Sequence, residues 1–261
     1  MYRLLIVTDD QSVKDRISAM EGWETLGFKP PRIRSTVEEA KECMAKHPID
    51  AIAVDQEPAF EPLYDFLDEY RPAMPLFAIE PTAEKQLETA REVGNLLARM
   101  NADDSNDEYN PAAKLDQQRE RWLCRVIAGA GENQETLARR LRLYRCREKL
   151  NVPCVLARIA MPDDDTFLSE RWHYGSERLE TALRNFFGRG HDHMLIHVAV
   201  VSQDEVRVLC YPQSEEDGLS ESAAFAYIQE TVDQIEHYLG LSMRVLEVRR
   251  LNGLQVFAAE E

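Results

Sequence analysis

The sequence predicts two domains that both mix helices with strands, an α/β domain with a parallel sheet followed by an α+β domain with an antiparallel sheet. Short apolar runs alternate with helical patterns through residues 1–100, and this alternation favours a parallel sheet. A polar, acidic segment at residues 101–112 then interrupts the pattern and predicts a linker. Residues 113–261 begin with two helical patterns and continue in the order β-α-β-β-α-β. The 261 residues are enough for two domains of ordinary size.

The elements of the first domain follow from apolar periodicity. Four short apolar runs predict strands at residues 3–8, 32–35, 50–55 and 76–79. Helical spacing of apolar residues predicts helices at residues 10–20, 37–46, 63–70 and 83–100. Thr82 is a candidate cap for the last of these helices, and Pro48 follows the end of the second.

The second domain opens with helices predicted at residues 115–128 and 132–150. Strands are predicted at residues 152–160, 194–201, 206–211 and 243–249, and helices at 167–187 and 219–239. This order is that of a ferredoxin-like fold, in which helices cover one face of an antiparallel sheet.

Composition excludes several classes of protein. The formal net charge of −16 disfavours direct binding of nucleic acid, because phosphate backbones are repelled. No apolar run approaches the ~18 residues of a membrane span, and the N-terminus lacks a signal-peptide pattern. The five cysteines are scattered without C-x-x-C spacing, which indicates reduced thiols. We therefore expect a cytoplasmic protein that does not contact membranes.

Positive charge is concentrated between the two halves. Residues 113–150 carry ten Lys or Arg and five Asp or Glu. One interpretation is a docking face for an acidic partner; the other, which we favour, is the solvated side of an amphipathic helix with Leu137, Leu141 and Tyr144 on its apolar side.

Acidic residues follow two of the predicted parallel strands. Asp9 and Asp10 come after the first strand, and Asp55 ends the strand at residues 50–55. The carboxyl ends of parallel strands share one edge of the sheet, where open α/β folds place their sites. We expect these three carboxylates to lie together.

The first half resembles the receiver domain of AraC-type two-component response regulators. The segments that carry this resemblance are Leu4-Leu5-Ile6-Val7-Thr8-Asp9-Asp10, Trp23-x-x-Leu26-Gly27-Phe28, Glu38-Glu39-Ala40 and Asp50-Ala51-Ile52-Ala53-Val54-Asp55. The second half resembles the regulatory middle domain of the same regulators, an inactive relative of the diguanylate cyclase fold. Its signals are the order of elements and Tyr238-Leu239-Gly240-Leu241-Ser242. The family normally ends in a DNA-binding helix-turn-helix domain, and we expect this protein to act without one.

The resemblance implies a flavodoxin-like fold and a phosphoryl-transfer site. Asp55 would be the phosphoacceptor, and Asp9, Asp10 and Asp55 would hold Mg²⁺, which prefers oxygen ligands. Thr8 stands where the family usually has a further acid.

A receiver also needs a lysine and a Ser or Thr on two further strands, but only the strand at residues 76–79 is available. We expect it to take the fifth place, so that Glu80 replaces the lysine and one β/α unit is missing. If it takes the fourth place, Glu80 replaces the Ser or Thr. A glutamate in either position repels a phosphate group.

The leading hypothesis is a non-enzymatic signalling protein that works without phosphorylation. It would act in two-component and transcription regulation by contact with a protein, either a sensor kinase or a transcription regulator, and as a homodimer. One alternative is a working response regulator phosphorylated on Asp55. The other is a nucleotide-binding or cyclase-like protein that acts through its second domain.

Two further patterns in the second half resemble sites. The turn Ser202-Gln203-Asp204-Glu205 occupies the hairpin where a diguanylate cyclase has Gly-Gly-Asp-Glu, but it lacks the glycines that admit a nucleotide. His191, His193 and His197 could suggest a metal, although a structural zinc wants four ligands of fixed geometry. We favour an ordinary turn and ordinary structural histidines.

Overall fold

The computed structural model describes residues 1–102, 110–161, 172, 176–214 and 218–259. The chain divides into two compact units. The first comprises Met1–Arg119 with Arg139–Cys146, and the second comprises Glu120–Ala138 with Arg147–Glu261. The predicted boundary instead assigned all of residues 113–150 to the second domain. Most of the predicted linker, residues 103–109, lies outside the described residues.

The first unit is built on a parallel sheet with the strand order β2-β1-β3-β4. Its strands are β1 Leu4–Val7, β2 Arg32–Arg34, β3 Ala51–Val54 and β4 Leu76–Ala78. In register, Ile6 of β1 lies beside Ile33 on one side and Ala53 on the other, and Ala53 lies beside Phe77. All residues of β1 and β3 are buried, as expected of parallel strands covered on both faces.

Four helices accompany this sheet: α1 Gln11–Ala19, α2 Val37–Lys46, α3 Glu61–Tyr70 and α4 Ala83–Ala102. Side-chain caps fix where several of them begin. The Thr36 hydroxyl accepts a hydrogen bond from the Glu39 N–H at 3.2 Å, and the predicted cap Thr82 accepts one from the Lys85 N–H at 3.2 Å. Each cap satisfies an amide that has no partner inside its helix.

The two faces of the parallel sheet carry different helices. One core cluster joins α2 and α3 to alternate strand residues such as Leu5, Val7 and Ile52. Because successive side chains of a strand point to opposite faces, Leu4 and Ile6 face the other side. There α4 packs closely on the turn at residues 24–28. A Cβ atom placed on Gly94 would lie 2.9 Å from the Leu26 carbonyl oxygen and 3.3 Å from the Phe28 ring.

The second unit contains an antiparallel sheet with the strand order β6-β7-β8-β5-β9. Its strands are β5 Cys154–Ala160, β6 Gly190–His191, β7 Met194–Val200, β8 Glu205–Pro212 and β9 Arg244–Leu251. The short strand β6 was not predicted. It pairs with β7 through Gly190 and Leu195 and lengthens that edge of the sheet.

Helices lie against both faces of this sheet. The remaining helices are α5 Pro111–Ala128, α6 Gln134–Leu143, α7 Ser176–Phe187 and α8 Glu221–Leu239. Leu183 and Phe187 of α7 and Ile228 of α8 share a core with alternate residues of β5, β7 and β8. On the opposite face, Glu120 of α5 lies against His197, the neighbour of Val198 on β7, with Oε2 3.2 Å from Nδ1. The start predicted for α7, at residue 167, lies outside the described residues.

Helix α6 is shorter than predicted. It ends at Leu143 rather than near residue 150. Arg145 has φ +55°, a left-handed conformation that a helix cannot continue through. The helical spacing of apolar residues therefore continues in the sequence beyond the end of the helix itself.

Among the described residues, none of the helices is both long enough and apolar enough to cross a membrane.

Candidate functional site

The acidic side chains predicted from the first half line one cavity of about 380 Å³ at the carboxyl ends of the parallel strands. Its wall includes Asp9, Asp10, Asp55, Glu57 and Glu80. We call this region the acidic edge. It collects the predicted residues, but the contacts of each carboxylate differ.

Asp55 is half-buried, and both of its carboxylate oxygens accept hydrogen bonds. The Thr8 hydroxyl donates to Oδ2 at 2.8 Å, and the Gln56 N–H donates to Oδ1 at 2.9 Å. Backbone bonds hold the two partners in place, because Thr8 N–H donates to the Arg34 carbonyl and Asp55 N–H donates to the Val7 carbonyl. The hydroxyl of the fully buried Thr8 thus donates to the predicted phosphoacceptor.

Asp10 is the N-cap of α1. Its Oδ1 accepts from the Ser12 N–H at 2.7 Å, and its own N–H donates to the Thr8 hydroxyl at 3.2 Å. Hydrogen bonds from Ser12, first from its side chain and then from its backbone, lower the pKa of the Asp10 carboxyl. The neighbouring Asp9 is exposed, and its side chain makes no hydrogen bond with any described residue.

The sequence did not indicate Arg16 as part of this site. Its guanidinium group donates to the carbonyl oxygens of Glu80 and Pro81, each at 2.6 Å. The Glu80 carboxylate is directed to α4, where the Thr89 hydroxyl donates to it at 2.9 Å. A positive charge therefore lies at the acidic edge, supplied by α1 rather than by a residue after a fifth strand.

The structure shows where the strand after Asp55 lies in the sheet. We expected residues 76–79 to act as a fifth strand, with Glu80 in the place of a lysine. Strand β4 pairs directly with β3, with Ala53 opposite Phe77. A sheet of the 2-1-3-4-5 order that lacks one β/α unit has this pairing whether the fourth or the fifth unit is missing, so the place of Glu80 stays a prediction.

The predicted magnesium ligands make other contacts in this arrangement. Asp10 caps a helix with one carboxylate oxygen, and each Asp55 oxygen accepts one hydrogen bond, from Thr8 or from Gln56, and keeps a further lone pair. In the described part of the chain, no group of three or more His, Cys, Asp or Glu side chains is arranged to hold a metal ion. Binding of Mg²⁺ by Asp9, Asp10 and Asp55 stays a prediction.

In the hairpin turn of the second unit, Glu205 forms ion pairs with two arginines. Glu205 accepts from Arg158 Nε at 3.2 Å, from Arg158 Nη2 at 2.9 Å and from Arg207 Nε at 2.8 Å. Arg158 and then Arg207 lower the pKa of the Glu205 carboxyl to about 2. Asp204 accepts from the Ser202 hydroxyl within the turn. Beside it lies a cavity of about 340 Å³ lined by Arg158, Arg207 and Arg249.

The histidines of the second half do not converge. His191 stacks on Tyr227 with ring centroids 4.1 Å apart. His197 is buried on β7 between two carboxylates, with Nδ1 3.2 Å from Glu120 and Nε2 2.8 Å from Glu148. Burial would lower the pKa of His197, but the hydrogen bonds and charges of Glu120 and Glu148 raise it to about 9. We call these three residues the histidine cluster.

Part of the basic run at residues 113–150 forms ion pairs inside the first unit. Arg139 and Arg140 both pair with Glu92, at 3.1 and 2.8 Å. Arg145 pairs with Asp68. Arg139, Arg140 and Arg145 therefore have partners within the first unit.

Comparison of the sequence with models of protein families and with curated protein sequences finds no match.

Proposed function

We propose that this chain is a response-regulator-like signalling protein that acts by protein–protein contact and without phosphorylation. In this proposal the first unit is a receiver-like domain, and the second is a ferredoxin-like regulatory domain. The protein works as a homodimer in two-component control of transcription, with a sensor kinase or a transcription regulator as its partner.

The strand orders support this assignment. The order β2-β1-β3-β4 agrees with the flavodoxin-like order 2-1-3-4-5 from which one β/α unit after the third strand is missing. In the second unit, β5, β7, β8 and β9 take the spatial order β7-β8-β5-β9, which suits a ferredoxin-like β-α-β-β-α-β chain.

The charges around Asp55 carry the phosphorylation-independent part of the proposal. A phosphoaspartate needs a cation beside the negative charge that the phosphoryl group adds. The groups that donate to the Asp55 oxygens, the Thr8 hydroxyl and the Gln56 N–H, are both neutral. Arg16 directs two of its nitrogens at backbone carbonyls, while Asp9, Glu57 and Glu80 add negative charge to the cavity. The surroundings of Asp55 therefore disfavour a phosphoaspartate.

Intact-mass measurement after treatment with acetyl phosphate and Mg²⁺ tests this part. We expect no stable species heavier by roughly 80 Da, the mass of one phosphoryl group. The matched variant Thr8→Asp places an acid where a receiver usually has one and shows whether the site can be restored. A heavier wild-type species that Asp55→Ala abolishes would favour the alternative of a working response regulator.

Complementation tests the regulatory part. A deletion strain should show altered transcript levels, and the Asp55→Ala variant should restore them as fully as the wild type does. Light scattering of the purified chain checks the dimer. Unchanged transcript levels in the deletion strain would contradict a role in transcription.

A second candidate function, nucleotide binding, is favoured by the cavity beside the hairpin. Three arginines and Phe257 line it, a combination that suits phosphate oxygens and a base. Glu205 and Glu247 compete for the same arginines. A thermal-shift screen with GTP and cyclic dinucleotides tests whether a nucleotide binds, because a ligand bound to the folded state alone raises the Tm.

A further inference from the structure

A second cavity lies at the amino ends of the parallel strands, opposite the acidic edge. Its volume is about 510 Å³, and we call it the amino-end cleft. Arg3 comes from the start of β1, Lys29 and Arg32 from the entry to β2, and His47 from the end of α2. The range of 300–1,000 Å³ typical of small-molecule sites includes this volume.

All four of these side chains are basic. None of them makes a hydrogen bond or an ion pair with another described residue. The lining contains no acidic side chain. The carboxylate closest along the chain, Asp50, instead accepts from the Arg3 backbone N–H at 2.6 Å. In a chain of net charge −16, this gathers Arg3, Lys29 and Arg32 around one cavity without an ion-pair partner among the described residues.

Backbone contacts hold the cleft in shape. Lys29 N–H donates to the Tyr2 carbonyl at 2.9 Å, and Asp50 N–H donates to the Arg3 carbonyl at 2.9 Å. Pro30 and Pro48 form part of the wall and have restricted backbones. The segments that carry the charges are thus fixed before any ligand arrives, which lowers the entropy lost on binding.

We propose that the amino-end cleft binds a small anion with two or more phosphate groups. Arginine presents a planar fork that matches phosphate oxygens, while lysine adds a point charge. Three cations around one cavity suit a diphosphate better than a single carboxylate. This inference does not depend on the proposed function, because it uses none of the residues of the acidic edge.

Titration calorimetry with inorganic pyrophosphate at low ionic strength and without Mg²⁺ is the primary test. Omitting the metal prevents metal-bridged binding at the acidic edge. We expect saturable binding of one pyrophosphate per chain, weakened as salt is added. The variants Arg3→Gln and Arg32→Gln should each weaken binding by about tenfold or more, because each removes charged hydrogen bonds.

Two further variants separate the cleft from other basic residues. Lys46→Gln removes a nearby cation that already pairs with Glu42 at 3.0 Å, and it should leave binding unchanged. Arg249→Gln alters the cavity beside the hairpin, and loss of pyrophosphate binding in this variant in place of Arg3→Gln would assign the ligand to that cavity and overturn the proposal. Circular dichroism of each variant checks that the fold is retained.

Further ligands identify the source of the phosphate. Equal affinity for ADP and pyrophosphate supports recognition of the phosphates alone, and tighter binding of ADP supports a nucleotide. Absence of pyrophosphate binding, or binding that survives the Arg3→Gln, Arg32→Gln double variant, would overturn the proposal. So would equal competition by a short polyglutamate peptide, since the cleft would then select charge and not phosphate.

Discussion

The acidic edge of the first unit and the histidine cluster of the second both gather carboxylates, but they stabilise them in different ways. At the acidic edge Asp10, Asp55 and Glu80 each have partners of their own, and these are neutral donors from Ser12, Thr8 and Thr89. In the histidine cluster Glu120 and Glu148 share one imidazole ring and are buried around it. Separate neutral partners make the first site tolerant of single changes. A shared charge makes the second dependent on one residue.

The largest effect is expected from His197→Ala. Removing the shared ring leaves two buried carboxylates close together without a positive partner. The loss of one member of a buried ion pair lowers the free energy of unfolding by about 3–5 kcal/mol. Hydrogen exchange of β7 peptides in urea measures the loss within the second unit. His191→Ala is the matched control, because that ring is 45% exposed and should cost under about 1 kcal/mol. Equal losses would contradict the shared-charge description.

The histidine cluster also predicts a dependence on pH. The pKa of His197 in the folded chain is about 9, above its ordinary value near 6.5. The extra stability is therefore fully present below about pH 6.5 and is lost as the pH rises through 9. The advantage of the wild type over His197→Gln should shrink by roughly 3 kcal/mol or less across this window.

The quantity to measure is the difference in the free energy of unfolding between the wild type and His197→Gln. Burial raises the pKa of the Cys154 and Cys210 thiols to about 12 each. Both thiols titrate in wild type and variant alike, so their contribution cancels. An advantage that stays constant from pH 6 to pH 10 would show that His197 is not charged in the fold.

At the acidic edge, Thr8→Val should have a moderate effect. The change keeps the shape of the side chain but removes the hydroxyl that serves Asp55 and Asp10. A lost hydrogen bond to a carboxylate costs about 1–3 kcal/mol. Hydrogen exchange of β1 peptides reports it, and Thr25→Val, whose hydroxyl donates to the Gly22 carbonyl at an exposed turn, serves as control.

The smallest effect is expected from Asp9→Asn. This side chain is exposed and has no hydrogen-bonded partner among the described residues. Its replacement should change the free energy of unfolding by less than about 0.5 kcal/mol. A urea titration without Mg²⁺ gives this value. A larger loss would mean that Asp9 takes part in the charge balance of the acidic edge.

Local patterns in the sequence predicted the elements of the fold well. Helix α2 begins and ends where the periodicity placed it, at Val37 and Lys46, and the predicted cap Thr82 is in use. The alternating α/β first half and the antiparallel second sheet are likewise confirmed. Periodicity and capping depend on neighbours within a few residues, which is why one sequence suffices to find them.

The contacts within the sites depend on residues far apart in the chain. Arg16 meets Glu80 across 64 positions, and His197 meets Glu120 across 77. No local pattern in the sequence indicates such a pair. The pairing of β4 with β3 is equally hard to predict, because packing decides which strands pair in a sheet and the strand's own residues do not. The end of α6 was missed for a backbone reason, the positive φ of Arg145.

The close approach of α4 to the turn at residues 24–28 adds a fifth specified residue, distant in the chain, to the four of the Trp-x-x-Leu-Gly-Phe segment. Gly94 lies 66 positions after Phe28, yet a Cβ atom there would meet both Leu26 and Phe28. Any other residue would push the helix and the turn apart by several tenths of an ångström. A search for chains that share this packing should therefore pair the turn with a glycine in the middle of the following long helix. That two-part signature is more selective than the turn alone.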